Sequence, residues 1–212
     1  MRGQSVMPYG LRPMDWDDLD QVASMEKEAF PTLWPPTSYR REMKNKLAEY
    51  TVCVQDGEYV TVENKSGKRR LFGLLGRRRG EPTVLHRQML IGFVGLWFMA
   101  GEAHIVAIAV REGYRRRGLG ELLLIGAIEM GLRRGQQVVT LESRVSNEAA
   151  KALYAKYGFK EVGLRRGYYS DNNEDAVIMS TDKLTSEAFQ AMFKERCEAF
   201  DERYGEADRL YM

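Results

Sequence analysis

The segment that most constrains this chain is Arg115-Arg116-Arg117-Gly118-Leu119-Gly120. It lies between an apolar strand that ends at Val110 and a helix, Leu119 to Arg133, whose Leu122, Leu123, Ala127 and Met130 share one side. Strand, glycine-containing loop and helix in that order place the loop at a helix start within an α/β domain. The first amides of a helix have no partner within it, and the helix dipole favours negative charge there. Gly118 and Gly120 remove side chains that would hold a phosphate away from those amides, and the arginines can neutralise it. A diphosphate fits this description; a solvated arginine run at a helix start fits the same letters. No G-x-x-x-x-G-K-[ST] and no G-x-G-x-x-G occurs, which excludes a Walker loop and a dinucleotide fingerprint.

Around this segment the chain reads as alternating elements. Tyr9 to Met14 predicts a strand, and Asp15 can cap a helix that carries Leu19, Val22, Ala23 and Phe30 and must stop near Phe30-Pro31. A turn from Pro31 to Pro36 leads to a second helix over Ser38 to Leu47, then to strands at Tyr50 to Val54 and Glu58 to Val62 arranged as a hairpin about Asp56-Gly57. Leu90 to Phe98 and Ala103 to Val110 are strands separated by Ala100-Gly101-Glu102. After the loop and its helix come a short strand, Val138 to Glu142, a helix capped by Ser146 or Asn147 and closed by Gly158, and a strand pair, Lys160 to Tyr168 and Ala176 to Thr181. Beyond Thr185 an amphipathic helix presents Phe189, Met192, Phe193, Phe200 and Tyr204, to cover the core in cis or a second subunit. We divide the chain into a domain over 1–184 and this helix with its tail over 185–212.

Composition narrows the function. With 212 residues and 44% hydrophobic content the chain can bury one ordinary core. A net charge of +2 does not suit a chain that wraps nucleic acid or membrane as a whole. Two cysteines, Cys53 and Cys197, make no CxxC pair, and with His86 and His104 they show no metal-ligand spacing, so no metal is expected and the reading is a reducing cytoplasm. Met1 to Leu11 lacks a basic start followed by an apolar stretch. The most apolar run, Met89 to Ala100, is about half of the roughly 20 residues that a membrane-spanning helix needs, and reads as a buried strand. Asn64 to Gln88 carries eight basic residues against one acid, Glu81, and is expected to be an inserted basic loop. Contact with RNA through it competes with the preferred reading, a solvated excursion.

R-x-x-G-x-G after an apolar strand resembles the acyl-coenzyme A loop of the GNAT acetyltransferases. The order of elements is similar to that family's: two early helices, a central sheet, the loop and its helix, a short strand, a further helix and a terminal strand pair. Leu141 to Asn147 (LESRVSN), Ala152-Leu153-Tyr154, Gly158-Phe159, Arg165 to Tyr169 (RRGYY) and Glu174 to Met179 (EDAVIM) resemble the RimI-type ribosomal-protein alanine N-acetyltransferases, with Ser143 where a valine is usual. The resemblance covers Tyr9 to Asp182 apart from the basic insertion. It implies a GNAT fold, a mixed, mostly antiparallel sheet flanked by helices, here with an extra C-terminal helix. It also implies acetyl transfer from acetyl-coenzyme A (acetyl-CoA) to a protein N-terminal α-amine, such as alanine of a small-subunit ribosomal protein.

By that resemblance Glu142 is the general base and Tyr154 the donor of a proton to the departing thiolate. Without the family, Glu142 reads equally as an exposed acid paired with Arg144 or Lys151, and Tyr154 as a member of an apolar helical stripe with Ala150, Leu153 and Tyr157. The cofactor would lie on Arg115, Arg116, Arg117, Gly118, Leu119 and Gly120, with its pantetheine arm along the backbone of Ile108, Ala109 and Val110; Asn147 matches a cofactor contact and is equally a helix cap. Phe30, Trp34, Tyr168 and Tyr169 match the aromatic borders of the acceptor groove. Neither cysteine stands near these motifs, which favours direct transfer in a ternary complex over an acetyl-cysteine intermediate. Two other readings are kept: acetylation of a small amine or a lysine side chain, and a non-catalytic acetyl-CoA-binding module. The expected assembly is a monomer or a homodimer.

Overall fold

A computed structural model of the chain describes residues 6–32, 35–63 and 84–210. Among these residues seven strands form one sheet in the order β1-β2-β3-β4-β5-β7-β6, antiparallel at every junction except β4–β5. This is the mixed, mostly antiparallel sheet expected of the family's fold.

β1 (Tyr9–Pro13) leads into a 3-10 turn, Trp16–Asp18, and then α1 (Leu19–Ala29). Asp15 and Asp18 cap this entry reciprocally, each carboxylate accepting from backbone N–H groups, and Asp18 also takes two hydrogen bonds from Arg12 at 2.6 and 2.9 Å. Phe30 leaves the helical region before Pro31, as the proline requires. The second helix is shorter than expected: α2 is the single turn Tyr39–Glu42. Asn45 Oδ1 accepts from Leu47 N–H at 3.0 Å, a local turn that competes with helix, and the chain is already extended at Ala48.

The expected hairpin at Asp56-Gly57 does not form. β2 (Ala48–Glu63) is continuous and pairs along its length with β3 (Val84–Met99). The register slips between Val54↔Leu90 and Tyr59↔Gln88, and Gly57, at φ +73°, supplies the left-handed residue of a bulge rather than a turn. The range of the basic loop is corrected with it: Val84 to Gln88 belong to β3, while residues 64–83 lie outside the described residues. Met89 to Ala100 falls mostly in β3, as its apolar run implied. Ala100 and Gly101, at φ +52° and +84°, then turn the chain into β4 (Glu102–Val110).

α3 (Leu119–Arg133) crosses to β5 (Val138–Arg144); α4 (Glu148–Lys156), β6 (Phe159–Tyr169), β7 (Glu174–Thr181) and α5 (Glu187–Tyr204) follow. Two cores result. Ala103, Ile105, Val139 and Leu141 face α3, α4 and α5, whereas Val52, Leu90 and Phe93 pack under α1 and α2 on the other face. α5 packs in cis: Phe189, Phe193 and Phe200 are buried in the first core, each contributing on the order of 2 kcal/mol. Among the described residues no helix is long and apolar enough to cross a membrane.

Two features of β4 open the sheet where the loop begins. Its pairing with β5 extends only from Glu102↔Val138 to Ile105↔Leu141, and a register shift opposite Gly95 and Leu96 leaves Val106 as an extra residue. Beyond it Ala107 to Val110 pair with β3 alone. The extra residue also reverses the alternation, so that Ala107 and Ala109 join the α1-side core while Ile108 and Val110 turn to the α3 side.

Candidate active site

The loop after β4 has the geometry of an anion cradle. Arg116 and Gly118 stand at φ +64° and +84°, Gly118 is the residue that opens α3, and among the described residues no backbone acceptor meets the amides of Arg116 to Glu121. Leu119 itself is buried. Arg115 Nε donates to Val110 O at 3.2 Å; Arg117 donates to Gly113 O at 3.1 Å and to the Tyr9 hydroxyl at 3.2 Å, and its guanidinium lies 5.0 Å from the Tyr114 ring centre. These two arginines brace the loop, and Arg116 is left exposed. A Cβ on Gly120 would meet only Leu153 Cδ2, at an ordinary 3.8 Å, so the fold does not demand glycine there; close approach of a ligand would. The unpaired side of Ala107–Val110, which includes Ile108, Ala109 and Val110, adjoins this cradle and can receive an extended amide-bearing arm as a further strand would.

Glu142 lies on the opposite side of β5 from buried Leu141, on a stretch of sheet that α1 and α2 do not cover. It lines a cavity of about 460 Å³ together with Glu102, His104, Thr140 and Arg165. Its partners are neither Arg144 nor Lys151. His104 Nε2 stands 2.9 Å from Oε2, and an Arg165 nitrogen stands 3.0 Å from Oε1. The hydrogen bond from His104 holds the Glu142 carboxyl below its ordinary range against the opposing effect of burial, and the same contact raises the His104 pKa above 6.5. His104 Nδ1 lies 2.8 Å from Thr140 Oγ1, which donates to Glu102. A chain of proton-carrying groups thus joins Glu142 to the half-exposed Glu102.

Tyr154 lies across the sheet, in the core under α4, 5.9 Å from Phe159 between ring centres. Burial, with a smaller contribution from Tyr169, pushes its phenol up to about 12. Tyr169 is the shared neighbour: burial, against the opposing charge of Arg144, raises its phenol to about 12, and Glu142 adds a smaller contribution in the same direction. Tyr169 and Tyr168 meet edge to face at 5.2 Å, each beneath a guanidinium, Arg144 at 3.9 Å and Arg165 at 5.5 Å. Arg144 is committed to the β6–β7 loop: it grips Asp171 through two bonds of 2.9 Å and Glu174 at 3.0 Å. Asp171 is held below its ordinary pKa chiefly by Arg144, with a smaller contribution from Thr32 just past Phe30, so the α1–α2 loop lies beside the β6–β7 loop. Phe30 is exposed there; Trp34 lies outside the described residues. Asn147 acts as a cap, accepting from Ala150 N–H at 3.3 Å.

Sequence reasoning considered His104 only as a metal ligand and did not place Thr140 or Glu102 at the site. The alternation in Glu102-Ala-His-Ile carried the signal: with Ala103 and Ile105 inward, His104 must emerge on the other face, beside whatever strand pairs with β4.

The chain matches the acetyltransferase (GNAT) family over residues 19–159 and belongs to that family. It is an acyltransferase, an N-acetyltransferase whose cofactor is acetyl-CoA. A Bacillus subtilis (strain 168) protein, provisionally named as a ribosomal protein bS18-alanine N-acetyltransferase, is 32% identical over 170 residues, 80% of this chain and 92% of that one. An N-alpha-acetyltransferase of Sulfurisphaera tokodaii is 33% identical over 176 residues, 81% and 92% of the two chains. Among solved structures, the ribosomal-protein-S18-alanine N-acetyltransferase from Escherichia coli superposes with a TM-score of 0.60 at 26% identity, covering 84% of this chain and 97% of that one.

Proposed function

We propose that this acetyltransferase modifies the N-terminal α-amine of a protein, alanine of a small-subunit ribosomal protein, by direct attack in a ternary complex. The observation that carries the chemistry is the Glu142 carboxylate, held between His104 and Arg165 in a cavity whose Arg165 lies against the Tyr168 ring. The name of the Sulfurisphaera tokodaii relative specifies N-alpha-acetylation, and the names of the Bacillus subtilis relative and of the superposed structure specify alanine of a ribosomal protein.

Acetyl-CoA supplies a thioester whose C–S bond breaks as the new C–N bond forms. The amides of Arg116 to Glu121 and the guanidinium of Arg116 would hold its diphosphate, and the open side of Ala107–Val110 its pantetheine arm. An α-ammonium has an ordinary pKa of about 7.7–8.0 and must lose a proton before it attacks. A carboxylate with a depressed pKa is by itself a weak acceptor for that proton. The Glu142–His104 pair is better matched: Glu142 receives the proton, directly or through water, and His104 Nε2, 2.9 Å away, retains it as an imidazolium stabilised by the carboxylate. Tyr154, fully protonated near neutral pH, gives a proton to the thiolate, whose parent thiol ordinarily titrates near 8.5. Both cysteine thiols are pushed up to about 12, chiefly by burial, which supports transfer without an acetyl-cysteine intermediate.

The test is release of coenzyme A thiol with a short Ala-Arg peptide as acceptor. Turnover that vanishes when the amino terminus is blocked is the expected result. Turnover on a blocked peptide that contains lysine, or on small amines only, would overturn it.

A further inference from the structure

The cradle is held from behind by an element that lies beyond the family match, which ends at residue 159. Tyr204 is the last residue of α5. A Cβ built on Gly118 would stand 3.0 Å from its Cζ and 3.1 Å from both Cδ1 and Cδ2. Near-equal distances to three atoms spread around the ring mean that Gly118 sits flat on its face. The ring packs in turn on Phe200, 5.0 Å away between centres and almost fully buried. Gly205, at φ +91°, ends the helix, and the tail then runs beside β1: Met7 N–H donates to Glu206 O at 2.8 Å, Leu11 N–H to Asp208 O at 2.7 Å, and Leu210 N–H to Leu11 O at 2.9 Å. β1 carries Tyr9, whose hydroxyl accepts from Arg117. Both Arg117 and Gly118 are therefore fixed by the C-terminal segment or by the strand it covers.

A loop with two left-handed residues, one of them the non-glycine Arg116, and a run of unpaired amides keeps its shape only if its surroundings impose it. We infer that Tyr204 is a positioning residue of the acetyl-CoA site: its ring is the platform that keeps Gly118 left-handed and the loop amides convergent on the diphosphate. The inference rests on the acetyl-CoA assignment and is independent of the acceptor.

It is tested by calorimetric titration of the full-length protein with coenzyme A, for the parent, Tyr204→Ala, Tyr204→Leu and Tyr204→Phe. Loss of the flat ring in the Ala and Leu variants should weaken binding about tenfold, because the ligand must then order the loop itself. Phe should restore parental affinity. With acetyl-CoA the Ala and Leu variants should show a KM raised by the same factor and an unchanged kcat, and with S-acetylpantetheine, which lacks the diphosphate, an unchanged kcat/KM. Parental affinity in the Leu variant would overturn the inference, as would equal losses with both acetyl donors, which indicate general loosening. A parent that binds no coenzyme A would refute the cofactor assignment beneath it, an outcome readable before any variant is made.

Discussion

Glu142→Gln tests the base and the electrostatics of its pocket together. The amide keeps the side chain's shape but cannot accept from both His104 and Arg165 as an anion does, and it cannot take a proton. Turnover in the thiol-release assay should fall about 10²-fold or more, equivalent to about 2.7 kcal/mol or more of transition-state free energy, while affinity for coenzyme A is nearly kept. Stability should fall as well. Two charge-assisted hydrogen bonds contribute about 1.5–3 kcal/mol each when sheltered, and the exposure of Arg165 reduces their joint contribution to about 1–2 kcal/mol. The pH dependence carries a sign. The Glu142 pKa is lowered from 4.5, so its share is present above that value and is lost as pH falls through the folded pKa; the His104 pKa is raised from 6.5, so its share is whole below 6.5 and is lost as pH rises through the folded pKa. Denaturant unfolding of parent and variant should therefore differ most between about pH 4.5 and 6.5 and converge towards pH 9, with the Arg165 contact remaining. Parental turnover would remove Glu142 from the chemistry, and a stability difference that stays flat from pH 5 to 9 would refute the assigned His104 ion pair.

Tyr154→Phe should lower kcat by a similar factor of about 10² with coenzyme A affinity intact, and a parental rate would leave Tyr154 as packing alone. His104→Gln should remove from the kcat/KM–pH profile a rising limb set by a group that titrates above 6.5; an unaltered limb would assign it to the acceptor amine. Arg144→Ala frees Asp171 and Glu174, and should raise KM for the acceptor peptide without altering coenzyme A binding, as titration with each ligand separately will show. Deletion of residues 64–83 should leave turnover on a short peptide intact, because β2 and β3 pair as far as Glu63↔Val84 and Glu142 lies on β5; lost turnover would place that segment in the site.

The readable parts of the sequence were those where one residue type answers one local demand. Asp15 before an apolar repeat, Gly158 at φ +81° after α4 and the Gly118 loop were each placed correctly, because a cap, a helix stop and a left-handed turn each favour those residue types locally. Asp56-Gly57 failed for the complementary reason. A left-handed glycine serves a two-residue hairpin and a bulge equally well, and the choice was made by β3, a partner long enough to pair with both halves of β2. The limits of the basic loop failed with it, since the strand character of Val84 to Gln88 exists only against Tyr59 to Glu63. The pairing of Glu142 with His104 joins residues 38 positions apart through the parallel register His104↔Thr140, and a linear reading has no access to register between strands.

In the proposed mechanism the same register lets a carboxylate and a phenol twelve residues apart in sequence serve one reaction. Leu141 points into the core under α3 and Glu142 to the open face, so the base approaches the sheet from one side; Tyr154 lies in the helix-covered core on the other. A sheet paired throughout would keep the two apart. Here β4 and β5 stop pairing after Ile105↔Leu141, one residue before Glu142, and the extra residue Val106 turns the remainder of β4 away. In the proposed mechanism the amine must lose a proton on one side of the carbonyl carbon while the sulfur gains one on the other. A gap between two parallel strands, with the proposed proton acceptor on one face and the proposed donor on the opposite face, suits that requirement. It follows that restoring the pairing, by deleting Val106 so that β4 keeps its alternation to Val110, should abolish turnover even in a chain that folds and retains Glu142 and Tyr154. Turnover in that variant with the sheet intact would show that the gap is not what brings acid and base to one substrate.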